Sequence, residues 1–210
     1  MNLLFELFRG GIIFEITNTK EAEIAEASGA VAVLLGYNNS PVHPDGTRAV
    51  LEEIQSNISI PVLASFKPGH FIEAEMLLKM GICGIYSDSR FEKIHTHNNF
   101  SQFKEQECPL LADVDNLSNY NERFVPVIRE KNIEEIIKKL EKKKKDSFVF
   151  VTGPIETVSD IALLKRMGAD TIIIPNTVFE FPDKEKYLNK LVQASFYFDN
   201  SEKLANILEN

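Results

Sequence analysis

The feature that most constrains this chain is an alternation. Eight short apolar runs of strand length are separated by stretches in which apolar residues recur every three or four positions. The runs are Ile12 to Ile16, Ala30 to Leu35, Pro61 to Phe66, Ile82 to Tyr86, Pro109 to Asp113, Phe124 to Arg129, Ser147 to Thr152 and Thr171 to Ile174. Helical spacing marks Thr19 to Ser28, Asp45 to Ile58, Phe71 to Met80, Asn132 to Lys143 and Val158 to Met167. Gly29, Gly81 and Gly168 stand where three of these helices should stop. The apolar runs are continuous, which means burial on both faces, as in a parallel sheet wrapped by helices. Eight such strands alternating with helices predict an α/β fold, a closed (β/α)8 TIM barrel. An open doubly wound sheet is the second choice, disfavoured because no glycine-rich phosphate loop follows the first strand.

A chain of 210 residues, 44% of them hydrophobic, supplies one substantial core, so a single domain over residues 1–210 is expected. The amphipathic tail, Tyr187 to Asn210, predicts the last barrel helix and a short C-terminal helical extension. The pattern is weakest in the polar stretch Ser89 to Glu107 and in the Asn116 to Arg123 crossover. A net charge of −8 argues against a nucleic-acid partner. The run Lys142-Lys143-Lys144-Lys145 follows a helix and reads as a solvated helix end, with an anion or phosphate partner as the competing reading. Met1 to Arg9 is apolar but short, interrupted by Glu6 and without a basic leader, so neither a signal peptide nor a membrane span is expected. Cys83 and Cys108 lack CxxC spacing and read as inert thiols of a reducing, cytoplasmic protein.

In a barrel, chemistry gathers at the C-terminal ends of the strands. Those positions offer Glu15 on the first strand, Ser65 and Lys67 on the third, and Tyr86 with Asp88 on the fourth. Later strands add Asp113 and Asp115, Arg129 with Lys131, Gly153, and Asn176. Residues two apart on a strand share a face, which pairs Ser65 with Lys67 and Arg129 with Lys131. Two lysines converging on a carboxylate could support Schiff-base chemistry; lysines just past strand ends are equally read as solvent-facing loop residues. His95 and His97 lack further ligands nearby, so no metal is expected. His43 lies in a turn-rich loop after the second strand, and His70 at the start of the Phe71 helix.

Several ordered segments resemble one family, the synthase (lyase) subunit of glutamine-dependent pyridoxal 5'-phosphate synthase (PdxS/SNZ). They are Gly10 to Ala32, Ser59-Ile60-Pro61-Val62 with Gly69-His70, Arg129-Glu130-Lys131 followed by Asn132-Ile133, and Met167-Gly168-Ala169-Asp170. The likeness covers nearly the whole chain and is strongest from Gly10 to Gly81 and from Phe150 to Asn200. It implies a (β/α)8 barrel assembling into hexamers and dodecamers. Such a barrel condenses two sugar phosphates with ammonia from a glutaminase subunit, through imines on two lysines. The second lysine matches Lys131 and its companion arginine matches Arg129. The first lysine falls on Ser65, and Lys67 stands where an arginine is usual. The first-strand aspartate becomes Glu15, and the fourth-strand aspartate becomes Tyr86, with Asp88 two residues on. The phosphate turns read Gly153-Pro154 and Pro175-Asn176-Thr177, each with fewer backbone donors. The glycine-rich segment after Lys131 is absent, and the segment before Gly10, which docks the glutaminase, is short.

Three functions follow from this pattern. The first is a pseudoenzyme, without cofactor, acting as a structural or regulatory partner in homo-oligomers or with an active paralogue. The second is an imine-forming enzyme of altered specificity, using Lys131 or Lys67 on a small sugar phosphate or carbonyl compound. The third is an active synthase subunit with a displaced lysine. Catalytic candidates are Lys131, Lys67 and Glu15; substrate-binding candidates are Ser65, Arg129, Asp88, Gly153 and Asn176.

Overall fold

The computed structural model describes residues 3–44, 46–90, 108–114, 117, 124–144 and 147–209. All eight expected strands form: β1 (Ile12–Ile16), β2 (Ala32–Leu35), β3 (Val62–Phe66), β4 (Gly84–Ser87), β5 (Leu110–Asp113), β6 (Val125–Arg129), β7 (Phe150–Thr152) and β8 (Thr171–Ile174). They pair in sequence order, every pair parallel, and β8 returns to β1. The open-sheet reading is therefore discarded. The helices among the described residues are α1 (Leu3–Phe8), α2 (Thr19–Ala27), α3 (Arg48–Asn57), α4 (Phe71–Lys79), α5 (Ile133–Leu140), α6 (Val158–Arg166), α7 (Lys184–Phe196) and α8 (Ser201–Glu209). The last two answer the amphipathic tail: α7 packs against α6 and α2 to close the helical ring, and α8 lies on α7.

Helix starts are set by side chains that satisfy otherwise unbonded backbone amides. Asn18 accepts from the Glu21 amide, Thr47 from Val50 and Asn132 from Glu135. Thr157 and Asp160 form a reciprocal capping box on α6. Gly29, Gly81 and Gly168 end their helices with φ of +91°, +85° and +100°, the left-handed conformation expected of them. Strands are shorter than the apolar runs because the first residues of a run still finish the preceding turn. The Ala30 amide, for example, bonds back to the Ala25 carbonyl of α2.

The strands divide the core in two. Ile12, Phe14, Val33, Leu35, Ile85, Ile128 and Ile172 face outward against the helices. Ile13, Leu34, Leu63, Tyr86, Leu111, Val127, Phe150 and Ile173 fill the barrel interior. Alternation of faces along each strand makes this division.

The N-terminal end of the barrel is plugged by α1. Phe8 is fully buried within the interior cluster and meets Phe150 edge-on, with ring centroids 6.3 Å apart. Phe148 packs on Phe150, and the Arg9 guanidinium covers Phe148. The Thr171 hydroxyl donates to the Phe8 carbonyl at 2.7 Å. The apolar N-terminal stretch is thus a stopper. Among the described residues, no helix is long and apolar enough to cross a membrane.

Part of the lysine run is structural rather than solvated. The Lys143 ammonium donates to the Gly168 carbonyl and to Asp170, both at 2.6 Å, while Lys142 and Lys144 are exposed. Lys145 lies outside the described residues, as do Asp45, His95, His97, Asp115 and nearly all of the stretches Ser89 to Glu107 and Asn116 to Arg123. Cys83 and Cys108 are half-buried free thiols, and burial pushes the Cys108 thiol up to about 11, away from nucleophilic thiolate.

Candidate functional site at the barrel mouth

At the C-terminal end of the barrel the apolar interior gives way to a bonded ring of charge. Glu15 rises from β1, Tyr86 from β4, Asp113 from the last position of β5 and Arg129 from the last position of β6; Asp88 follows β4 directly. Strand alternation aims these side chains inward, above Ile13, Leu111 and Val127. Arg90 enters from the loop after β4 and joins the ring to itself. Its guanidinium reaches Glu15 at 2.6 Å and forks onto Asp88 at 2.5 to 3.0 Å. Arg129 lies 3.2 Å from Asp113 and 3.6 Å from Asp88, and it donates to the Tyr86 oxygen at 2.6 Å. The Tyr86 hydroxyl donates in turn to Asp113, which also accepts from the Ser89 amide and hydroxyl.

These contacts fix the charge states. Burial, then the charge of Asp113, holds the Tyr86 phenol well above its ordinary range, so it stays a neutral donor. Burial works against the charge on Arg90. Its hydrogen bonds to Asp88 and Glu15 outweigh that and leave the guanidinium more firmly protonated than usual. Arg129 shows the same balance, with burial opposed by Tyr86, Asp113 and Asp88. Among the described residues the ring joins three carboxylates to two guanidiniums. Asp88 is completely buried and Glu15 is 7% exposed. Such groups are stable inside a protein only when paired and hydrogen-bonded, as they are here. Gly36 is part of the fit: a Cβ there would lie 2.8 Å from a Glu15 carboxylate oxygen.

The remaining candidates divide. Ser65, in register with Tyr86 on the neighbouring strand and on the same face as Leu63, is fully buried in the barrel wall. Its hydroxyl has no hydrogen-bond partner among the described residues. Lys67, just past β3, is half-buried with its ammonium 5.5 Å from the Tyr37 ring, and its amide donates to Glu73. Lys131, beyond the end of β6, is exposed. Its neighbours serve the scaffold, Glu130 pairing with Lys139 at 2.5 Å and Asn132 capping α5. Among the described residues, the groups paired with Glu15 and Asp88 are the guanidiniums of Arg90 and Arg129. Gly153 is required by packing, since a Cβ would lie 2.8 Å from the Glu130 carbonyl oxygen. Asn176 opens a short 3₁₀ turn, Asn176–Glu180, after Pro175. His43 packs edge-on against Tyr37, and His70 precedes α4, 3.3 Å from Glu73.

Sequence reasoning missed Arg90. It lies in the aperiodic polar stretch after β4, where no strand or helix period places a side chain. The one available signal was its position two residues after Asp88, at the end of a barrel strand.

The barrel and its rim can now be set beside known proteins. The model of the SOR/SNZ family matches residues 2–129. The chain belongs to the SOR/SNZ family. It is similar to the pyridoxal 5'-phosphate synthase subunit PdxS of Francisella tularensis subsp. novicida, with 26% identity over 99% of this chain and 90% of the relative. The PdxS subunit of Francisella philomiragia matches with the same identity and coverage. Each alignment runs over 261 positions against a chain of 210 residues, so these SOR/SNZ relatives carry segments that this chain lacks. The family match ends at Arg129, two residues before Lys131. Residues 150–200 lie beyond that match, and the alignments to the relatives cover 99% of the chain.

Proposed function

We propose that this chain is a pyridoxal 5'-phosphate synthase-like barrel of vitamin B6 biosynthesis that acts as a structural or regulatory subunit and performs no imine condensation. One observation carries the reading. The barrel-wall position resembling the imine lysine is a buried serine, and the carboxylates beside it are held by guanidiniums. A serine hydroxyl cannot form an imine, and an arginine stays protonated at any physiological pH, so neither supplies the nucleophile. Arg90 also fills the space between Glu15 and Asp88 with a fixed cation. The residues that would do chemistry instead hold the rim together.

On this reading residues 1–210 form one barrel domain that works in the cytoplasm, in rings of its own or mixed with an active paralogue. A second reading, an imine-forming lyase of altered specificity, is favoured by Lys67. That lysine is half-buried one residue past the end of β3.

The purified chain should be supplied with a pentose phosphate, a triose phosphate and an ammonium salt, with the Francisella tularensis PdxS subunit as positive control. The control should release pyridoxal 5'-phosphate and this chain none. Co-purification with an active synthase subunit would support the partner role directly. Turnover by the chain alone would overturn the proposal.

A further inference from the structure

Away from the mouth, α7 and α8 enclose a cleft of about 330 Å³, within the size range of small-molecule sites. Lys186 and Lys190 enter it from one face of α7 and Lys203 from α8; Tyr197 adds a phenol, and Gln193 lines the cleft with one amide hydrogen already donated to the Asn189 side-chain oxygen at 2.5 Å. Among the described residues, none that lines it is a carboxylate. The ammonium of Lys190 is 3.4 Å from the Leu208 carbonyl oxygen, and that of Lys203 sits 4.1 Å over the Tyr197 ring. These contacts orient two of the three cations without neutralising them. By contrast, Lys139 pairs with Glu130 and Lys143 with Asp170. In a chain of net charge −8, three like charges gathered with no carboxylate among the described lining residues are a cost that a bound anion would relieve. Buried Ile207 forms an apolar wall beside them, which strengthens any charge contact made there.

We propose that the cleft between α7 and α8 binds the phosphate group of a small phosphorylated metabolite. Lysines supply the charge, and the Tyr197 phenol and the remaining hydrogen-bonding capacity of the Gln193 amide orient the ester oxygens and the organic remainder. The site lies on the outside of the barrel, and its occupation does not depend on whether the mouth is catalytic.

Calorimetric titration of the full chain at low ionic strength, with inorganic phosphate, pyrophosphate and adenosine monophosphate, tests the assignment. Saturable binding of one anion per chain is expected, with a dissociation constant on the order of a millimolar and weakening as salt rises. Lys190→Glu and Lys203→Glu should each weaken binding about tenfold, whereas Lys144→Glu, in the separate basic run, should leave it unchanged. Thermal melting checks that each variant is folded. In the unmodified chain, pyrophosphate should also protect Lys186, Lys190 and Lys203 from acylation, read by peptide mass spectrometry. Adenosine monophosphate binding more tightly than inorganic phosphate would mean that the organic remainder is also held. No saturable binding, equal losses in the Lys144 variant, or no protection of these three lysines would overturn it.

Discussion

The two ends of the barrel are closed by opposite means. At the N-terminal end Phe8 inserts from α1 and packs against Phe150, so closure is apolar. At the C-terminal end Glu15, Asp88 and Asp113 are tied to Arg90 and Arg129, so closure is ionic. A hydrophobic plug gains stability in proportion to area removed from water and is insensitive to charge. An ion-paired rim gains little net stability but becomes costly once a partner is removed. The contrast teaches that the two ends answer to different physics: stability rests on the interior and the plug, while the mouth must remain electrically satisfied.

The largest effect should come from the plug. Phe8→Ala should cost about 4 kcal/mol in chemical denaturation, with the same loss at low and high salt. A loss under about 1 kcal/mol would mean that α1 is an ornament and that the two ends are not equivalent closures. At the mouth, Arg129→Met leaves Asp113 and Asp88 short of a cation and should cost about 3 kcal/mol. If the variant matched the parent, the rim would be a set of independent surface pairs rather than a bonded ring.

A smaller, pH-dependent effect belongs to the N-terminal end. Lys165 is 8% exposed and donates to the Asp170 carbonyl at 2.9 Å. Burial lowers its pKa from 10.5 to about 8, with Asp170 opposing and Lys143 assisting. Between those two values the unfolded chain binds the proton that the folded chain releases, so stability rises with pH across that window. Relative to Lys165→Met, the parent should gain about 2 kcal/mol between pH 7.5 and 10. Parallel stability curves would show that Lys165 is solvated and that this end carries no titratable strain.

The fold was legible because its signals are local and repeated. Continuous apolar runs, glycine stops and cap residues such as Asn18, Asn132 and Thr157 each act over a few positions, and eight units say the same thing. The site was legible in location, since Glu15, Asp88, Asp113 and Arg129 follow from strand ends. Its bonding was not. Tyr86 read as the loss of a carboxylate, whereas the structure makes it the link between Asp113 and Arg129. Arg90 and Glu15 are 75 positions apart in sequence, and only barrel closure brings them together. Lys131 shares the strand face of Arg129 by parity, yet β6 ends at Arg129, so the alternation no longer governs where Lys131 points.

The most direct measurement is reductive trapping. The chain is incubated with pentose, triose and longer sugar phosphates, reduced with borohydride, and weighed intact beside an active PdxS subunit. A rim whose carboxylates are held by arginines and whose third strand carries Ser65 should give an unchanged mass while the control gains an adduct. A sugar increment on this chain, mapped to Lys67 or Lys131, would contradict the account.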